Sequence, residues 1–298
     1  MDTVEKQLGD WNLVAAPALG GALLACRFKG RPVLRECLGL STSSTATDTS
    51  AFPMVPFCGR IADGRFAFDG VAYRLEPNFP PEIHAIHGTG WQSEWRADAT
   101  RPERLDLNLV SEAGWWPWTF LARQRFEALE TGALSLTMTV TNTSETAMPA
   151  GLGWHPYFPA AGSTLKGATG DIWVAKREGA TADTARSPDA ALDPSRGIDV
   201  GAVSIDHSFD WEDPNAALRY PNGRSVEISA GPEARFLTVF HPKRADFVCV
   251  EPLTQLPNAV NFDDPGLLGL RDLAPGETLS LEIFLRVGSD LPAGADLS

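Results

Sequence analysis

Apolar and polar residues alternate with a period of two over much of this sequence. The clearest alternations span residues 133–141 and 278–287. Because successive side chains of a β-strand point to opposite faces, this pattern predicts strands that are buried on one face only. The apolar positions of the first stretch are Leu134, Leu136, Met138 and Val140. Shorter strands are predicted at residues 105–110, 120–129, 225–229, 236–240 and 247–250.

The sequence contains no helical pattern as clear as these alternations. No stretch longer than about twelve residues keeps a helical period. Many short strands, separated by residues such as the 27 Gly and 23 Pro, predict an all-β protein built as a sandwich or a barrel. Because no linker or internal repeat divides the chain, we expect one domain over residues 1–298. Residues 40–50 are expected to form a loop, and residues 160–201 a long irregular excursion of the kind that often borders a binding site.

The charge balance excludes several classes of partner. The net charge is −13 and there is no basic run, so neither nucleic acid nor an anionic membrane is an expected partner. The first residues lack a signal pattern and no apolar stretch is long enough to span a bilayer, which predicts a cytoplasmic protein. The cysteines lack ligand-type spacing, which predicts reduced, structural thiols and no metal site. They are Cys26, Cys37, Cys58 and Cys249. No nucleotide-binding or nucleophile motif is present, so no cofactor is expected.

Two segments in the first third of the chain combine turn residues and aromatic residues with ionisable ones. Arg60 lies between a glycine and an isoleucine, so it either satisfies loop carbonyls or contacts a ligand. His84 and His87 are three residues apart, but glycines follow at once and argue against a helical metal pair. The simplest interpretation is one core or capping histidine and one exposed histidine. Trp91 is equally consistent with the core and with a platform under a sugar ring.

Two further segments carry an acid–base candidate each. His155 directly follows a predicted strand and lies in the aromatic segment WHPYF. Such a wall desolvates an imidazole, which titrates near neutrality and can serve as an acid or a base. Glu251 ends an apolar strand, where burial raises the pKa of a carboxyl group and a nearby cation lowers it. Asp206 lies in a weaker cluster, DHSFD. Taken singly, His155 is better explained by core packing and Asp206 by capping or loop bracing, whereas Glu251 is equally consistent with a structural and a functional role.

Taken together, the segments resemble the aldose 1-epimerase (galactose mutarotase-like) family. The resemblance rests on their order along residues 50–287. An Arg in a Pro-rich turn and a Gly-Arg-Phe hairpin come first, followed by IHG, WHPYF, DHSF, Glu-x-x-x-Gln before Pro-Asn-Ala-Val-Asn, and a late PGE-x-L strand. WHPYF combined with the downstream glutamate is specific, whereas IHG or DHSF alone is a weak signal.

The resemblance implies a large antiparallel β-sandwich, the supersandwich, with its site on an open concave face. His155 looks like the general acid that protonates the ring oxygen, and Glu251 like the general base that takes the proton of the C1 hydroxyl. Opposed environments are expected to keep His155 protonated and Glu251 ionised at neutral pH. The residues expected to bind the substrate are Arg60, His87, Trp91, Asp206 and Gln255. The expected ligand is a small monosaccharide, and the chain is expected to be a monomer or a homodimer.

The sequence also departs from the family pattern, and these departures leave the substrate open. Galactose mutarotases usually carry Asn before the Arg, where this chain has Gly59, and Pro252 and Leu253 intervene after Glu251. Gly59 was expected to open space or to remove a hydrogen bond near the sugar ring. Two alternatives therefore remain beside a neutral aldose. One is a mutarotase for an anionic sugar, such as a hexose phosphate or an acidic or sulfonated hexose, and the other is a sugar-binding protein without turnover.

Overall fold

Strands make up nearly all of the regular structure. The computed structural model describes residues 2–41, 43–175 and 181–288. In the first half of the chain the strands are β1 (Val4–Leu8), β2 (Trp11–Ala16), β3 (Ala22–Phe28), β4 (Arg31–Pro32), β5 (Ala51–Met54), β6 (Arg60–Ile61), β7 (Arg65–Phe68), β8 (Val71–Arg74), β9 (Ala85–Ile86), β10 (Arg96–Asp98), β11 (Arg104–Ser111), β12 (Phe120–Ala128) and β13 (Leu134–Asn142). In the second half they are β14 (Met148–Ala150), β15 (Gly153–Pro159), β16 (Thr164–Gly167), β17 (Ile172–Val174), β18 (Thr184–Arg186), β19 (Ile198–Asp199), β20 (Ile205–Asp210), β21 (Asn215–Arg219), β22 (Ser225–Ala230), β23 (Phe236–His241), β24 (Phe247–Leu253), β25 (Arg271–Leu273) and β26 (Thr278–Gly288).

The strands form two large antiparallel sheets. The first has eleven strands in the order β1-β2-β3-β5-β15-β24-β23-β20-β17-β18, with β4 paired to β3. The second has nine strands in the order β10-β11-β12-β13-β26-β22-β21-β16-β19. Three two-stranded ribbons join β14 to β25, β6 to β9 and β7 to β8. Apolar side chains of both large sheets belong to one core cluster, as expected for a sandwich.

Helical structure is limited to single short turns of 3₁₀ helix in the described residues. They lie at Ala46–Asp48, Ala62–Gly64, Gly90–Gln92, Ala190–Leu192, Val200–Ala202, Ala259–Asn261 and Pro265–Leu268. In that same part of the chain there is no helix with the length and hydropathy needed to cross a membrane. The all-β fold with large antiparallel sheets that the sequence predicted is confirmed.

The two strongest alternations of the sequence pair with each other. On β13 and β26, Leu136 lies opposite Ile283 and Met138 opposite Leu281. These side chains are buried, and each adds about 1.5–3 kcal/mol by leaving water. The shorter predicted strands are also present, as β11, β12, β22, β23 and β24. Strand β24 runs three residues beyond the predicted end and thereby includes Glu251.

The two segments predicted to be irregular differ in outcome. Residues 40–41 and 43–50 form a loop with one 3₁₀ turn, as expected, whereas residue 42 of this prediction lies outside the described residues. Where the structure describes it, the excursion at 160–201 is only partly irregular, because it contributes β16 and β19 to the nine-stranded sheet and β17 and β18 to the eleven-stranded sheet. Residues 176–180 of this prediction lie outside the described residues. These strands have two to four residues each. A strand that short is too brief to show an alternation, which explains why the prediction missed it.

Candidate active site

A row of side chains crosses the middle of the eleven-stranded sheet. The register places Phe52 of β5 opposite His155 of β15, Glu251 of β24 opposite Thr238 of β23, and Thr238 opposite Ser208 of β20. The pairs that flank His155 and Glu251 on β15 and β24 are in register, so these two residues face each other. Because paired residues of antiparallel strands point to the same side of a sheet, all five side chains share one face.

The two strands that carry this pair are buried on both faces. Residues 153–158 of β15 and 248–253 of β24 are all buried. One face of these strands packs on the core and the other forms the floor of a cavity of about 960 Å³. That volume lies near the upper end of the usual range for small-molecule sites, so the cavity has room for a monosaccharide.

His155 and Glu251 lie in direct proximity on this floor. Nε2 of His155 is 3.3 Å from Oε1 of Glu251, and the two side chains are 8% and 5% exposed. The imidazole stacks on the ring of Phe52, with 4.4 Å between the centroids, and is tilted against the ring of Tyr157 at 4.9 Å. The aromatic rings and the strand backbone hold both groups in place, which is the preorganisation that acid–base chemistry requires.

Burial controls the protonation of the pair. It lowers the pKa of His155 to about 3, and it raises the pKa of Glu251 well above its usual value, with an added contribution from the carboxylate of Asp206. We expected a protonated His155 and an ionised Glu251, whereas both shifts run in the other direction. Burial penalises the charged form of both groups and therefore favours a proton on Glu251 beside a neutral His155. Either arrangement holds one proton, and a single transfer between the two side chains converts one into the other.

Arg60 brings two more acidic side chains to the cavity. Its Nε lies 2.9 Å from Oε2 of Glu82, and its Nη1 lies 3.6 Å from Oδ2 of Asp206. Asp206 reaches the cavity from β20, and its side chain is 50% exposed. Arg60 and Asp206 were both predicted to bind the substrate, and the structure brings them together at the cavity wall. Glu82 was not predicted, because a lone carboxylate between prolines and an isoleucine carries no recognisable pattern.

His87 lies at the cavity wall with a defined tautomer. Its Nδ1 accepts a hydrogen bond of 3.2 Å from the backbone N–H of Gly59, which leaves the ring proton on Nε2. Burial lowers the pKa of His87 well below its usual value, and the nearby His155 and Arg60 act in the same direction. The ring is therefore a neutral hydrogen-bond donor. Neither member of the predicted histidine pair is fully exposed, since His84 is buried and accepts a hydrogen bond from the backbone N–H of Asp63.

The backbone conformation and the packing at position 59 both require a glycine, which the sequence did not reveal. Its φ is +63°, and a Cβ at this position would lie 2.5 Å from the ring of Pro257. Any other residue would be strained and would clash with the proline. The expectation that Gly59 opens space beside the sugar was therefore incomplete, because this glycine also allows the close approach of two loops and donates to His87.

Two residues that were predicted to contact the substrate, Trp91 and Gln255, have almost no exposed surface. Trp91 is 1% exposed, stacks on Phe52, and donates its indole N–H to the carbonyls of Ile86 and Gly88. Although it borders the cavity, its small exposed fraction leaves little of the indole surface open to a sugar. Gln255 is buried outside the cavity lining and is directed toward the backbone near Leu256. Its position four residues beyond Glu251 takes it past the end of β24, so a contact between Gln255 and the substrate stays a prediction.

Several aromatic side chains of the cavity were not predicted as site residues. They are Phe52, Phe79, Tyr157, Trp173, Phe240 and Phe247. Those on strands occupy apolar positions that a sequence pattern assigns to the core, because the pattern does not distinguish a core face from a buried cavity face. Cys249, also not predicted, lies two residues before Glu251 on the same face of β24 and near His155.

Comparisons with known proteins identify the family of this chain and proteins that are similar to it. A family model described as aldose 1-epimerase matches residues 8–286, and the chain belongs to that family. A relative from Escherichia coli K12, the uncharacterised protein YphB, is 29% identical over 254 residues, or 82% of this chain and 86% of the relative. A second protein of the same organism, the uncharacterised YihR, is 23% identical over 221 residues, or 70% of each chain.

Solved structures agree on the fold. The structure of a candidate aldose 1-epimerase from Escherichia coli K12 is similar with a TM-score of 0.86 and 28% identity, covering 96% of this chain and 99% of that one. A galactose mutarotase-like protein from Clostridium acetobutylicum has a TM-score of 0.83 at 18% identity, covering 96% and 95% of the two chains. The galactose mutarotase-like β-sandwich that the resemblance implied is thus confirmed as the fold.

Proposed function

We propose that the protein is an aldose 1-epimerase, which interconverts the α and β anomers of a sugar. The observation that carries this proposal is the His155–Glu251 pair, with 3.3 Å between a ring nitrogen and a carboxyl oxygen on the floor of the cavity. Membership of the aldose 1-epimerase family supports the same reaction class. Anomer exchange needs one acid and one base beside the anomeric centre, and this pair supplies both.

The reaction begins with the proton that the pair holds. Transfer of that proton from Glu251 to His155 gives a carboxylate and an imidazolium. Arg60 stabilises the carboxylate, and the hydroxyl groups of a bound sugar can hydrogen-bond to both groups. The carboxylate then takes the proton of the C1 hydroxyl while the imidazolium protonates the ring oxygen. The C1–O5 bond breaks and the C1–O1 bond becomes a carbonyl, so the ring opens to the aldehyde. After rotation about C1–C2, the same steps in reverse close the ring on the other face.

The remaining polar residues of the cavity hold the sugar in place. The Nε2–H of His87 donates to an oxygen of the ring or of a hydroxyl group, and Asp206 accepts from hydroxyl groups at the open side. Arg60 donates from between the two carboxylates that orient it. The aromatic walls supply flat apolar surface for the C–H face of a pyranose ring. Each positioned acid or base typically contributes about 10²- to 10⁴-fold in rate, which is sufficient because mutarotation already proceeds in water.

Around the part of the cavity that the structure describes, the charges favour a neutral aldose over an anionic sugar. Among the cavity residues that the structure describes, Arg60 is the only Arg or Lys, and Glu82 and Asp206 already bind it. Recognition of a phosphate or sulfonate calls for cationic side chains that are free to bind it. Arg65 and Arg74, which lie nearby in the sequence, belong to the β7–β8 ribbon and do not line the cavity.

The test is anomer exchange measured by saturation-transfer NMR on glucose, galactose, fucose, arabinose and a hexose 6-phosphate. We expect acceleration over buffer for at least one neutral aldose, and a smaller effect for the phosphate ester. His155→Gln and Glu251→Gln should each reduce kcat/KM by about 10²- to 10⁴-fold. The exposed Glu94→Gln is the matched control and should retain the wild-type rate.

Two results would contradict the proposal. Wild-type rates in both variants would show that the pair does not perform the chemistry. Tight binding of a sugar in calorimetry without any acceleration would instead identify a sugar-binding protein on this fold.

A further inference from the structure

Three potential metal ligands of different chemistry meet at the cavity floor. His155 offers a ring nitrogen, Cys249 a sulfur and Glu251 a carboxyl oxygen, and these three atoms all lie within 4.8 Å of one another. All three residues are buried. The cysteine spacing gave no sign of such a set, because spacing detects ligands that are close in sequence, whereas here two neighbouring strands provide them.

The sheet itself creates this arrangement. Tyr157 of β15 pairs with Cys249 of β24, and His155 precedes Tyr157 by two residues. Cys249 is therefore a diagonal neighbour of His155 on the face that also carries Glu251. Because the backbone register fixes all three positions, the ligands are brought together before any ion binds. A preformed set reduces the conformational cost of binding.

The ligand types fit a soft divalent cation. Zinc binds nitrogen, thiolate sulfur and carboxylate oxygen in a tetrahedron with bonds of about 2.0–2.3 Å, so ligand atoms are separated by about 3.3–3.8 Å. The nitrogen–oxygen separation of 3.3 Å already matches this value. The sulfur needs to approach by at most about 1 Å, which is within the reach of a side-chain rotation. A magnesium or calcium ion would require more oxygen ligands than the site offers.

The charge balance also favours a dication. With the thiol and the carboxyl group deprotonated and His155 neutral, the three ligands carry a charge of −2, which a dication reduces to zero. A buried site without net charge avoids the cost of an isolated buried ion. Arg60 opposes a cation from the cavity wall, but its charge is offset by its contacts with Glu82 and Asp206.

We propose that His155, Cys249 and Glu251 form a binding site for zinc or another thiophilic dication, and that the bound ion blocks the acid–base pair. Binding releases two protons, one from the thiol and the one that His155 and Glu251 share. Three protein ligands would leave one position of a tetrahedral ion to water or to a sugar hydroxyl. Metal binding stands independently of the catalytic role, whereas the inhibition rests on the proposed epimerase function.

Cobalt(II) is the probe for binding, because a tetrahedral cobalt–thiolate site has a strong charge-transfer band in the near ultraviolet. Wild-type protein titrated with cobalt should show this band, and zinc should abolish it. Cys249→Ser should lose the band and bind the ion at least tenfold more weakly. The control Cys37→Ser alters a half-buried cysteine outside the site and should behave as wild type. Circular dichroism establishes that each variant is folded, and Glu251→Gln provides a second variant that should also weaken binding.

The rate measurement tests the inhibition. The zinc concentration that halves anomer exchange should rise at least tenfold in Cys249→Ser, and added sugar should raise it in the wild type. A cobalt band that survives in Cys249→Ser, or that disappears in Cys37→Ser, would overturn the proposed site. Equal zinc sensitivity of wild type and Cys249→Ser would overturn the inhibition. A Cys249-dependent cobalt band in a protein that accelerates no sugar would support the metal site and contradict the proposed function alone.

Discussion

Strand pairs β13–β26 and β15–β24 are both central and antiparallel, but they bury their side chains in different ways. On β13 and β26 one face is apolar and buried. The other face carries serines, threonines and charged residues together with Phe284, and all of these except the buried Ser135 are half-buried or exposed. On β15 and β24 nearly every residue is buried, and the polar ones include His155 and Glu251. The first pair has one function, which is to cover the core. The second pair covers the core with one face and forms the cavity floor with the other.

This difference separates residues that cover the core from residues for which we propose a catalytic role. Ionisable groups on a solvent-facing strand face keep their hydration and contribute little. The same groups on the floor of β15 and β24 are desolvated. The pKa of His155 therefore falls and that of Glu251 rises, and both shifts favour the neutral form of the group. Burial of titratable groups costs stability, and an enzyme retains them because the chemistry requires them.

The largest effect on stability is expected on the one-sided strand pair. Leu281 of β26 is fully buried opposite Met138, so Leu281→Ala leaves a cavity in the core and should lower the free energy of unfolding by about 2–5 kcal/mol. Its neighbour Ser280 points to the other face, and Ser280→Ala should change stability by less than about 0.5 kcal/mol. Urea denaturation measures both. Similar losses in the two variants would show that β26 is not buried on one face only.

Glu251, on the two-sided strand pair, should respond to pH in the opposite sense to an ordinary carboxylate. The pKa of Glu251 is raised in the folded state, so its contribution to stability is fully present below about 4.5 and declines as the pH rises toward the raised pKa. Glu251→Gln does not titrate and lacks this decline. The stability of the variant relative to wild type should therefore increase from pH 5 to pH 8.

Thermal unfolding over that pH range measures the difference. Glu94→Gln, on an exposed residue, should remain parallel to wild type throughout. A Glu251→Gln curve that also runs parallel to wild type would show that Glu251 is not buried in its protonated form.

A smaller effect is expected at the edge of the cavity, where Glu82 contacts Arg60. The sequence did not predict this contact. Glu82 orients Arg60 through the 2.9 Å contact but does not reach the acid–base pair. Glu82→Gln keeps the shape and weakens this charge-assisted bond by about 0.5–1.4 kcal/mol, so KM should rise about twofold to tenfold while kcat stays near wild type. A loss confined to kcat would show that Glu82 acts in the chemistry itself.

The sequence predicted most of the scaffold and the centre of the site. Alternation located strands such as β13 and β26, because one buried face leaves a clear period of two. The ordered motifs identified His155, Glu251, Arg60 and Asp206, and the structure brings these four to one cavity.

The features that the sequence did not predict are of two kinds. Some are contacts between residues that are distant in sequence, and others are strands too short to show an alternation. Strands β16 to β19 are too short to alternate, and Glu82 has meaning only beside Arg60. The protonation of the pair depends on burial at the cavity floor, which residue types do not reveal. One domain over residues 1–298 stays a prediction.

The central claim is that His155 and Glu251 act as one unit through a shared proton. A double-mutant cycle on kcat/KM for anomer exchange tests it most directly, using His155→Gln, Glu251→Gln and the double variant. If the two side chains act as a unit, the double variant should be no slower than the slower single variant, because either substitution alone already disables the pair. Losses that multiply in the double variant, or single variants that react at the wild-type rate, would contradict the account.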